Sequence, residues 1–286
     1  MSAAEFFNVL TAPELLQKTE AYLPEHRERL YPPTETLSMF MRQVLSADGS
    51  CQKAVNDWAA RRVADGLSVQ SIRTGAYCKA RQRLPLEMIT ELTRETGRLL
   101  NARTRMCWQW RGRTVKLVDG TGISMPDTVQ NQVCYPQPNS QLEGVGFPAA
   151  QVIGVVCLST GALLQAAMGP RFGQGNSELG LLRSLESAFS NGDVVLADSL
   201  YCDYFSIATL ITAGADIVFE QHGGRKTDFR RGLSLGKLDH LVRWKRPKNR
   251  PSCEPDRVNQ RSRATILITI DEGRGIGALN ERVHFA

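Results

Sequence analysis

The sequence lacks several features that mark common classes of protein. Its seven cysteines form no CxxC pair, its four histidines are scattered, and neither a GxGxxG nor a Walker A motif occurs. These absences argue against a zinc site, a disulfide scaffold and the usual nucleotide-binding loops. The amino terminus has no basic segment ahead of an apolar core, so no secretory signal is expected, and the cysteines are interpreted as reduced cytoplasmic thiols.

Charge is missing from one long segment. No charged residue lies between Val145 and Pro170, a length that is compatible with a membrane span. However, Ser159, Thr160 and Gly161 interrupt this segment in its middle, and glycine and proline bound it. Two short strands around a turn are therefore the favoured interpretation, and no membrane association is expected.

The charge that is present is unevenly distributed. The chain of 286 residues is 42% apolar, as in ordinary globular proteins, and carries a net charge of +6. Counted by segment, the net charge is +5 over 1–113, −7 over 114–220 and +8 over 221–286. Two basic flanks around an acidic centre suit a nucleic-acid binder whose middle segment collects carboxylates for another purpose. An uneven, solvated surface charge explains the same pattern equally well.

Residues 34–100 show helical periodicity. Pro33 precedes the first apolar run, Ser50 can cap a second run that ends at Gly66, and Pro85 opens the last one. Between them, the segment 68–84 is predicted to form a helix with five polar residues on one face, namely Gln70, Arg73, Thr74, Tyr77 and Arg81. Such a face can read DNA, as recognition helices do, although an ordinary exposed helix with basic side chains accounts for it too.

From residue 114 to 220 the pattern changes to alternating strands and helices. The order strand, strand pair, helix, strand, helix, strand predicts a mixed α/β sheet. Beyond 220 both periodicities weaken, which favours loops and short strands. The predicted elements are a strand at 114–118 followed by a turn at Asp119-Gly120, strands at 151–158 and 162–168, a helix at 177–188, a strand at 193–197, a helix at 204–213 and a strand at 216–220.

Asp119 and Asp198 each stand at the C-terminal end of a predicted buried strand. If the two strands are adjacent and parallel, the carboxylates converge at one edge of the sheet, where ligands gather in open α/β folds. Two carboxylates in that position can hold Mg²⁺ for phosphoryl transfer, with paired ions about 3.5 to 4 Å apart. The simpler alternative makes Asp119-Gly120 a turn and Asp198 a helix cap.

The residues around these aspartates carry a more specific signal. LVDGTGISMPDT at 117–128, Asn131, Tyr135-Pro136 and EGVGFPAAQVIGVVCLSTGALL at 143–164 closely resemble the catalytic domain of DDE transposases of the insertion sequence 4 family. GDVVLADSLYCDYFSIATLITAGADIVFEQHGGRKTDFRRG and LGKLDHLVRWKRPKNRP continue the match up to Pro251. Because several signatures occur in one order with compatible spacing, the resemblance, over roughly residues 30 to 250, is more specific than any single motif.

The resemblance implies a ribonuclease H-like mixed sheet flanked by helices, preceded by an all-helical DNA-binding region. It makes Asp119 the first and Asp198 the second catalytic aspartate, both binding Mg²⁺, with Mn²⁺ as a substitute. The implied activity is nicking and strand transfer of DNA by cut and paste through a hairpin, without a small-molecule cofactor.

The same resemblance sets the expected organisation, partners and location. Transposon ends and target DNA are the expected partners, with a homodimer in the synaptic complex, in a cytoplasmic protein of the bacterial nucleoid. The implied regions are a DNA-binding part at 1–105, a catalytic core at 112–220 and the start of a β-rich insertion with a tail at 221–286. Further DNA-contact candidates lie in the basic C-terminal stretch, at Arg225, Lys226, Arg230, Arg231, Lys245 and Lys248.

One family signature is missing. The third acid is a Glu within a motif of Tyr, two residues, Arg, three residues, Glu, six residues and Lys, and none of the six tyrosines has Arg three positions on. The tail 252–286 does not resemble the family, so Glu272 and Glu281 are not assigned, and no third catalytic Glu is identified. A frameshift or premature stop near residue 251 is the favoured explanation, with a divergent terminus as the alternative.

The sequence offers two alternatives to an active transposase. Without the third acid the chain is expected to be inert by itself, as a DNA-binding remnant that occupies transposon ends and inhibits the full-length enzyme. The other is a haloacid dehalogenase-like phosphatase, because Asp119-Gly120-Thr121 follows a predicted strand. That family's motif is DxDGT, and Leu117 occupies the position of its first Asp, so this function is not expected.

Overall fold

The chain divides into two units, 1–96 and 97–286. No helix in the described part of the chain is long and apolar enough to cross a membrane. The computed structural model describes residues 21–23, 30–68, 70–142, 144–172, 178–220, 232–236, 239–244, 247, 266–271 and 275–278.

The first unit is helical. Its helices are α1 (Pro33–Leu45), α2 (Cys51–Ala64) and α3 (Gly75–Gln82), and α4 (Leu86–Ala102) runs across the division between the units. Ser50 caps α2 as predicted, because its Oγ accepts a hydrogen bond of 3.1 Å from the backbone N–H of Lys53. Pro33 at the start of α1 needs no hydrogen-bond partner for its nitrogen, which favours a helix start there.

The core of the helical unit is rich in aromatic side chains. The ring centroids of Tyr31 and Trp58 lie 4.7 Å apart, and Tyr77 is fully buried beside them. The Tyr77 hydroxyl donates a 2.8 Å hydrogen bond to Oε1 of Gln43, and Nε2 of the same side chain donates one of 2.8 Å to the carbonyl of Gly49. These bonds satisfy polar groups whose burial is otherwise unfavourable.

The predicted helix at 68–84 is shorter than expected. The helix α3 begins at Gly75, so Gln70 and Arg73 precede it and do not share a helical face with the residues that follow. The prediction that Tyr77 lies on an exposed face is wrong, because its ring is packed in the core. A polar side chain among basic residues is typical of an exposed position. Here the Tyr77 hydroxyl donates a hydrogen bond to Gln43, which permits its burial.

We expect the stability of the helical unit to fall between about pH 10 and about pH 12. Burial raises the pKa of Tyr77 from 10.0 to about 12, so the unfolded chain releases this proton at a lower pH than the folded chain. The contribution is complete below the unfolded pKa and is lost as the pH rises through the folded one, and a shift of two pKa units corresponds to at most about 2.7 kcal/mol. Urea unfolding at several pH values measures it. Tyr77→Phe should lose this alkaline pH dependence, and an unchanged dependence in the variant contradicts the assignment.

The second unit contains a mixed sheet that includes nine described strands, in the order β3-β2-β1-β4-β5-β9-β8-β7-β6. The first five form its mixed part, in which β1 is antiparallel to β2 and parallel to β4. Strand β2 is antiparallel to β3, and β4 is parallel to β5. The strands are β1 (Val115–Ser124), β2 (Ala149–Cys157), β3 (Leu163–Pro170), β4 (Val194–Ala197), β5 (Asp216–Phe219), β6 (Leu233–Gly236), β7 (Asp239–Trp244), β8 (Ile266–Asp271) and β9 (Gly275–Ala278).

The described α-helices after β1 are α5 (Val129–Cys134), α6 (Glu178–Ser184) and α7 (Tyr204–Thr212). Two of them, α6 and α7, lie where the sequence pattern predicted helices, whereas α5 was not predicted. Nearly all of α7 is buried in one hydrophobic cluster with Val118, Ile153 and Val195 of the central strands. The uncharged segment forms β2 and β3 around a turn, as expected from its composition.

The predicted turn at Asp119-Gly120 is wrong, because β1 continues through it to Ser124. The additional residues pair with β2, from Gly120 opposite Ile153 to Ser124 opposite Ala149. Its parallel neighbour β4 ends earlier, at Ala197. Asp119 therefore lies within a strand, at the level where the neighbouring strand stops.

Candidate active site

Asp119 and Asp198 occupy neighbouring positions in the sheet. Val118 of β1 pairs with Ala197 of β4 in parallel register, and each aspartate is the next residue along its chain. In parallel register the next residues of both strands point to the same face of a sheet. Both aspartates are exposed. The structure thus brings together the two carboxylates that the sequence places at strand ends.

Each of these carboxylates makes one local hydrogen bond. The Oδ1 atom of Asp119 accepts a bond of 2.8 Å from the N–H of Gly120, and Oδ1 of Asp198 accepts one of 2.9 Å from the N–H of Leu200. Asp198 thereby caps the short 3-10 turn Ser199–Tyr201. The second oxygen of each has no hydrogen-bond partner among the described residues, and remains available to a ligand.

A third carboxylate lies against Gly120, the residue after Asp119. Oε2 of Glu178, the first residue of α6, accepts a hydrogen bond of 2.9 Å from the hydroxyl of Tyr201. A Cβ atom at Gly120 would lie only 2.9 Å from that Oε2 and 3.1 Å from the Tyr201 oxygen. Glycine at position 120 is therefore what lets Glu178 and Tyr201 approach the residue that follows Asp119.

Tyr201 is fully buried beneath this acidic edge. Burial, the hydrogen bond to Glu178, and the negative charges of Glu178, Asp198 and Asp119 all raise its pKa above the usual 10.0. The phenol is consequently protonated at neutral pH and acts as a hydrogen-bond donor. Its proton fixes the position of one carboxylate oxygen of Glu178.

An exposed cationic side chain lies farther along β1. Arg171 follows β3, its backbone N–H bonds to the carbonyl of Ala149 at 3.0 Å, and its guanidinium lies against Gly122 of β1. Its side chain is also 5.8 Å from the ring centroid of Phe172. An exposed arginine is suited to contact an anion such as a phosphate group.

The donor set fits Mg²⁺ or Mn²⁺ better than a softer metal. Asp119 and Asp198 provide exposed carboxylate oxygens, and Mg²⁺ is usually held by one or two carboxylates, several waters and substrate phosphates. Within the described ranges, no group of three or more His, Cys, Asp or Glu side chains forms a complete cage for a metal ion. The edge therefore suits a cation that shares its coordination with water and substrate.

The structure separates the candidate DNA-contact residues. Arg73 is exposed, Gln70 is half-buried, and Tyr77 belongs to the core. The guanidinium of Arg81 lies 4.6 Å from the ring centroid of Phe40 and donates to Sγ of Cys51 at 3.3 Å, so it is engaged within the helical unit. The candidates of the basic stretch lie outside the described residues, namely Arg225, Lys226, Arg230, Arg231, Lys245 and Lys248.

A surface of exposed tryptophan and arginine precedes β1. Trp108 and Trp110 are 43% and 46% exposed. The guanidinium of Arg105 lies 5.5 Å from the ring centroid of Trp108, and that of Arg111 lies 5.2 Å from the ring centroid of Trp110. Trp110 and Arg113 exchange backbone hydrogen bonds, which places Arg111, with its positive φ of 53°, at the tip of a tight turn. We call these residues, 105–111, the Trp-Arg surface.

Sequence reasoning missed Glu178, Tyr201, Arg171 and the Trp-Arg surface. Glu178 resembles any acidic residue in the first turn of a helix, where a carboxylate is favourable by itself. Arg171 carried a usable signal, since the acidic segment 114–220 contains only three basic residues. One of these, Lys116, is buried in an ion pair with Asp193, which leaves Arg171 and Arg183 as the others.

Comparison with known proteins adds a distant relationship. No family model matches this chain. The chain is similar to the transposase InsG for insertion sequence element IS4 of Escherichia coli (strain K12), with 27% identity over 180 residues, which is 61% of this chain and 38% of that protein. The chain therefore spans well under half the length of this relative.

Among solved structures, the chain resembles piggyBac transposase in a synaptic complex with hairpin DNA. The TM-score is 0.38, with 10% sequence identity over 97% of this chain and 61% of that chain, a likeness too distant to bear on the fold. The sequence similarity to InsG supports a relationship between this chain and transposases.

Proposed function

We propose that this chain acts in DNA transposition, with Asp119 and Asp198 as the aspartates of a Mg²⁺-dependent site for DNA strand cleavage and strand transfer. The observation that carries this proposal is that the two exposed aspartates are neighbours in the sheet, at the point where the parallel pairing of β1 and β4 ends. The similarity to a transposase supports it independently. The five-strand mixed part of the sheet, flanked by helices, is compatible with the ribonuclease H-like fold that the family resemblance implies.

In this proposal Asp119 and Asp198 hold the cation, with Mn²⁺ as a substitute for Mg²⁺. When bound, a divalent ion supplies Lewis-acid stabilisation of the charge that develops on phosphate oxygens. The protein itself contributes positioning and charge: the two aspartates stay exposed to DNA, and the exposed Arg171 offers a guanidinium to a phosphate group. No small-molecule cofactor is needed for this chemistry.

DNA is the proposed partner, as transposon ends and as target, bound by a homodimer in the synaptic complex. The Trp-Arg surface offers a contact site in the described residues, since exposed aromatic rings with stacked arginines suit nucleic-acid bases and phosphates. Arg73 is a further exposed candidate in the helical unit. The basic stretch that begins at Arg225 adds positive charge at the other end of the chain.

Binding to DNA should depend strongly on salt, and Arg111→Ala should reduce that dependence. If the Arg111 guanidinium contacts one phosphate, its loss lowers the slope of log K against log salt by about 0.9 for duplex DNA. Fluorescence anisotropy of labelled duplex DNA across a salt series measures the slope. Arg94→Ala is the matched control, because the Arg94 side chain pairs with Glu91 at 2.5 Å. Equal slopes for wild type and Arg111→Ala would exclude the Trp-Arg surface as a phosphate contact.

A second function is favoured by one sequence feature, the absence of the motif that supplies the family's third acid. In this alternative the chain is an inactive DNA-binding remnant that occupies transposon ends and inhibits a full-length transposase. A transposition assay in cells, with a full-length enzyme of the same element and this chain co-expressed, separates the two functions. Inhibition that persists in Asp119→Asn supports the remnant, whereas Mg²⁺-dependent nicking of end-containing DNA by wild type alone supports the active enzyme.

A further inference from the structure

We propose that Cys51 and Cys78 form a reversible disulfide when a hydroperoxide oxidises the chain, which makes this pair a modification site in the helical unit. The inference goes beyond the proposed function, because it involves neither DNA nor the two aspartates. The juxtaposition that carries it is the pair of thiols on adjoining helices beside the guanidinium of Arg81, which donates to Sγ of Cys51 at 3.3 Å.

The fold brings the two cysteines together. Cys51 is the first residue of α2, and Cys78 lies in the middle of α3. Arg81 follows Cys78 by three residues and shares its face of α3, and the bond from Arg81 to Cys51 directs this face towards the start of α2. The Cys78 thiol also forms a hydrogen bond with Cys51. A disulfide joins sulfur atoms about 2.05 Å apart, so two thiols already in contact need only a small movement to form one.

The surroundings give the two sulfurs different roles. Nε2 of Gln43 lies 3.6 Å from Sγ of Cys51 and, like the Arg81 guanidinium, donates to it. These donors stabilise negative charge on the sulfur, and a thiolate is the form that attacks an oxidant. Burial and the hydrogen bond with Cys51 raise the pKa of Cys78, so this thiol keeps its proton and donates it to Cys51. Cys51 is therefore the attacking thiol, and Cys78 attacks second, to form the disulfide.

A small oxidant can reach both sulfurs, because Cys51 and Cys78 are only partly buried. Two other cysteines, Cys107 and Cys134, are more exposed. Among the described residues, neither of these has a cysteine or a cationic side chain hydrogen-bonded to its sulfur. They are exposed thiols without a second sulfur to complete the reaction, and serve as comparisons for the pair.

One molecule of hydroperoxide balances the reaction. The Cys51 thiolate attacks a peroxide oxygen, the O–O bond breaks, and the leaving oxygen takes up the proton that Cys51 has released, which gives a sulfenic acid at Cys51. The Cys78 sulfur then attacks the Cys51 sulfur and loses its proton, and the S–O bond breaks with loss of water. With hydrogen peroxide, the chain loses two hydrogen atoms and the peroxide becomes two molecules of water. Thiol–disulfide exchange with a dithiol reductant reverses the modification.

Peptide mapping of the full chain tests the inference. The chain is treated with hydrogen peroxide, its remaining thiols are alkylated, and trypsin then releases Cys51 in peptide 43–53 and Cys78 in peptide 74–79. We expect mass spectrometry to find these two peptides joined by a disulfide, and dithiothreitol to separate them. The joined species should be absent from Cys51→Ser and Cys78→Ser, and present in the control Cys107→Ser.

Two results would overturn the proposal. One is recovery of the two peptides only as separate species, whether alkylated or further oxidised. The other is a joined species found only in the dimer band of a non-reducing gel, because the disulfide then connects two chains. A joined species in the monomer band supports a bond within one chain.

Further variants test the roles of the two cysteines. Cys78→Ser leaves Cys51 with its donors and should accumulate the sulfenic acid, which dimedone traps, whereas Cys51→Ser should give no trapped product at position 78. Arg81→Gln removes the positive charge beside Cys51 and should slow formation of the joined peptides several-fold. Lys79→Gln is the matched control, since this exposed lysine lies on the same helix and should leave the rate unchanged. Equal rates in wild type and Arg81→Gln would contradict Cys51 as the attacking thiol, and urea unfolding of the reduced variants shows that the fold is retained.

Discussion

Asp119→Asn and Asp198→Asn should each raise the dissociation constant for Mn²⁺ by about 100-fold or more, because the number of carboxylate charges largely sets the affinity of an oxygen-ligand site. Asparagine has nearly the same shape as aspartate but carries no charge. At the edge where β1 and β4 stop pairing, each substitution leaves a single aspartate for the cation. The same variants should lose any Mg²⁺-dependent nicking of DNA.

The metal-free stability of these variants should change little. The Asp198 carboxylate caps the turn Ser199–Tyr201, and asparagine caps helical turns about as well as aspartate does. Replacing either aspartate also removes repulsion between two neighbouring negative charges. A loss of metal binding in a variant of normal stability therefore separates a ligand from a structural residue.

Thermal unfolding with and without Mn²⁺ measures the stability that metal binding adds, and electron paramagnetic resonance of free Mn²⁺ during a titration measures the dissociation constant. A ligand at about 100 times its dissociation constant stabilises the folded state by about 2.7 kcal/mol, so the wild type should gain this stability on adding metal whereas Asp119→Asn and Asp198→Asn should not. Asp203→Asn is the control, because Asp203 caps α7 by accepting from the N–H groups of Phe205 and Ser206. Metal stabilisation that persists in Asp119→Asn would place the cation elsewhere.

Local signals predicted most of the secondary structure. Ser50 before α2, Pro33 in α1 and the turn residues 159–161 between β2 and β3 act through contacts within a few residues, so the sequence pattern contains the necessary information. The sequence pattern predicts both β1 and β4, but it does not predict that they are parallel neighbours. Their pairing depends on contacts between segments that are far apart in the sequence, which periodicity does not encode.

The wrong predictions have a common physical cause, which is tertiary contact. Asp119-Gly120 has the composition of a turn, but pairing with β2 carries the strand through it to Ser124. Tyr77 has a polar group and lies among basic residues, but Gln43 accepts its hydrogen bond and the ring is buried. Glu178 gave no signal, because its proximity to Gly120 arises only once β1 and α6 are packed together.

A buried ion pair supports the register that brings the two aspartates together. Lys116 of β1 and Asp193, just before β4, are 5% and 7% exposed. The Lys116 Nζ lies 2.5 Å from Oδ2 of Asp193 and donates to the carbonyl of Ala188 at 2.7 Å, while the N–H of Ser190 donates to the same Oδ2 at 2.6 Å. These bonds join β1 to the segment that enters β4, a short distance ahead of Asp119.

Lys116→Met should destabilise the chain by about 3 to 5 kcal/mol, because it leaves the Asp193 carboxylate buried without a counter-charge. This is a large part of the roughly 5 to 15 kcal/mol that stabilises a typical domain. Urea unfolding measures the change. Lys53→Met is the matched control, since the pair of Lys53 and Asp57 is half-exposed, spans one helical turn and should contribute little to stability.

The double variant Lys116→Met with Asp193→Asn distinguishes a net attraction from the penalty of an isolated buried charge. An asparagine side chain at position 193 carries no charge, yet its oxygen can still accept from the N–H of Ser190. The double variant should therefore be more stable than Lys116→Met alone, because well-packed neutral side chains often replace a buried pair with little loss. If Lys116→Met and the double variant are equally destabilised, Lys116 contributes to stability through its hydrogen bond to the carbonyl of Ala188 and its packing. Recovery of stability with retained Mn²⁺ binding would show that the register of β1 and β4 does not require the charges.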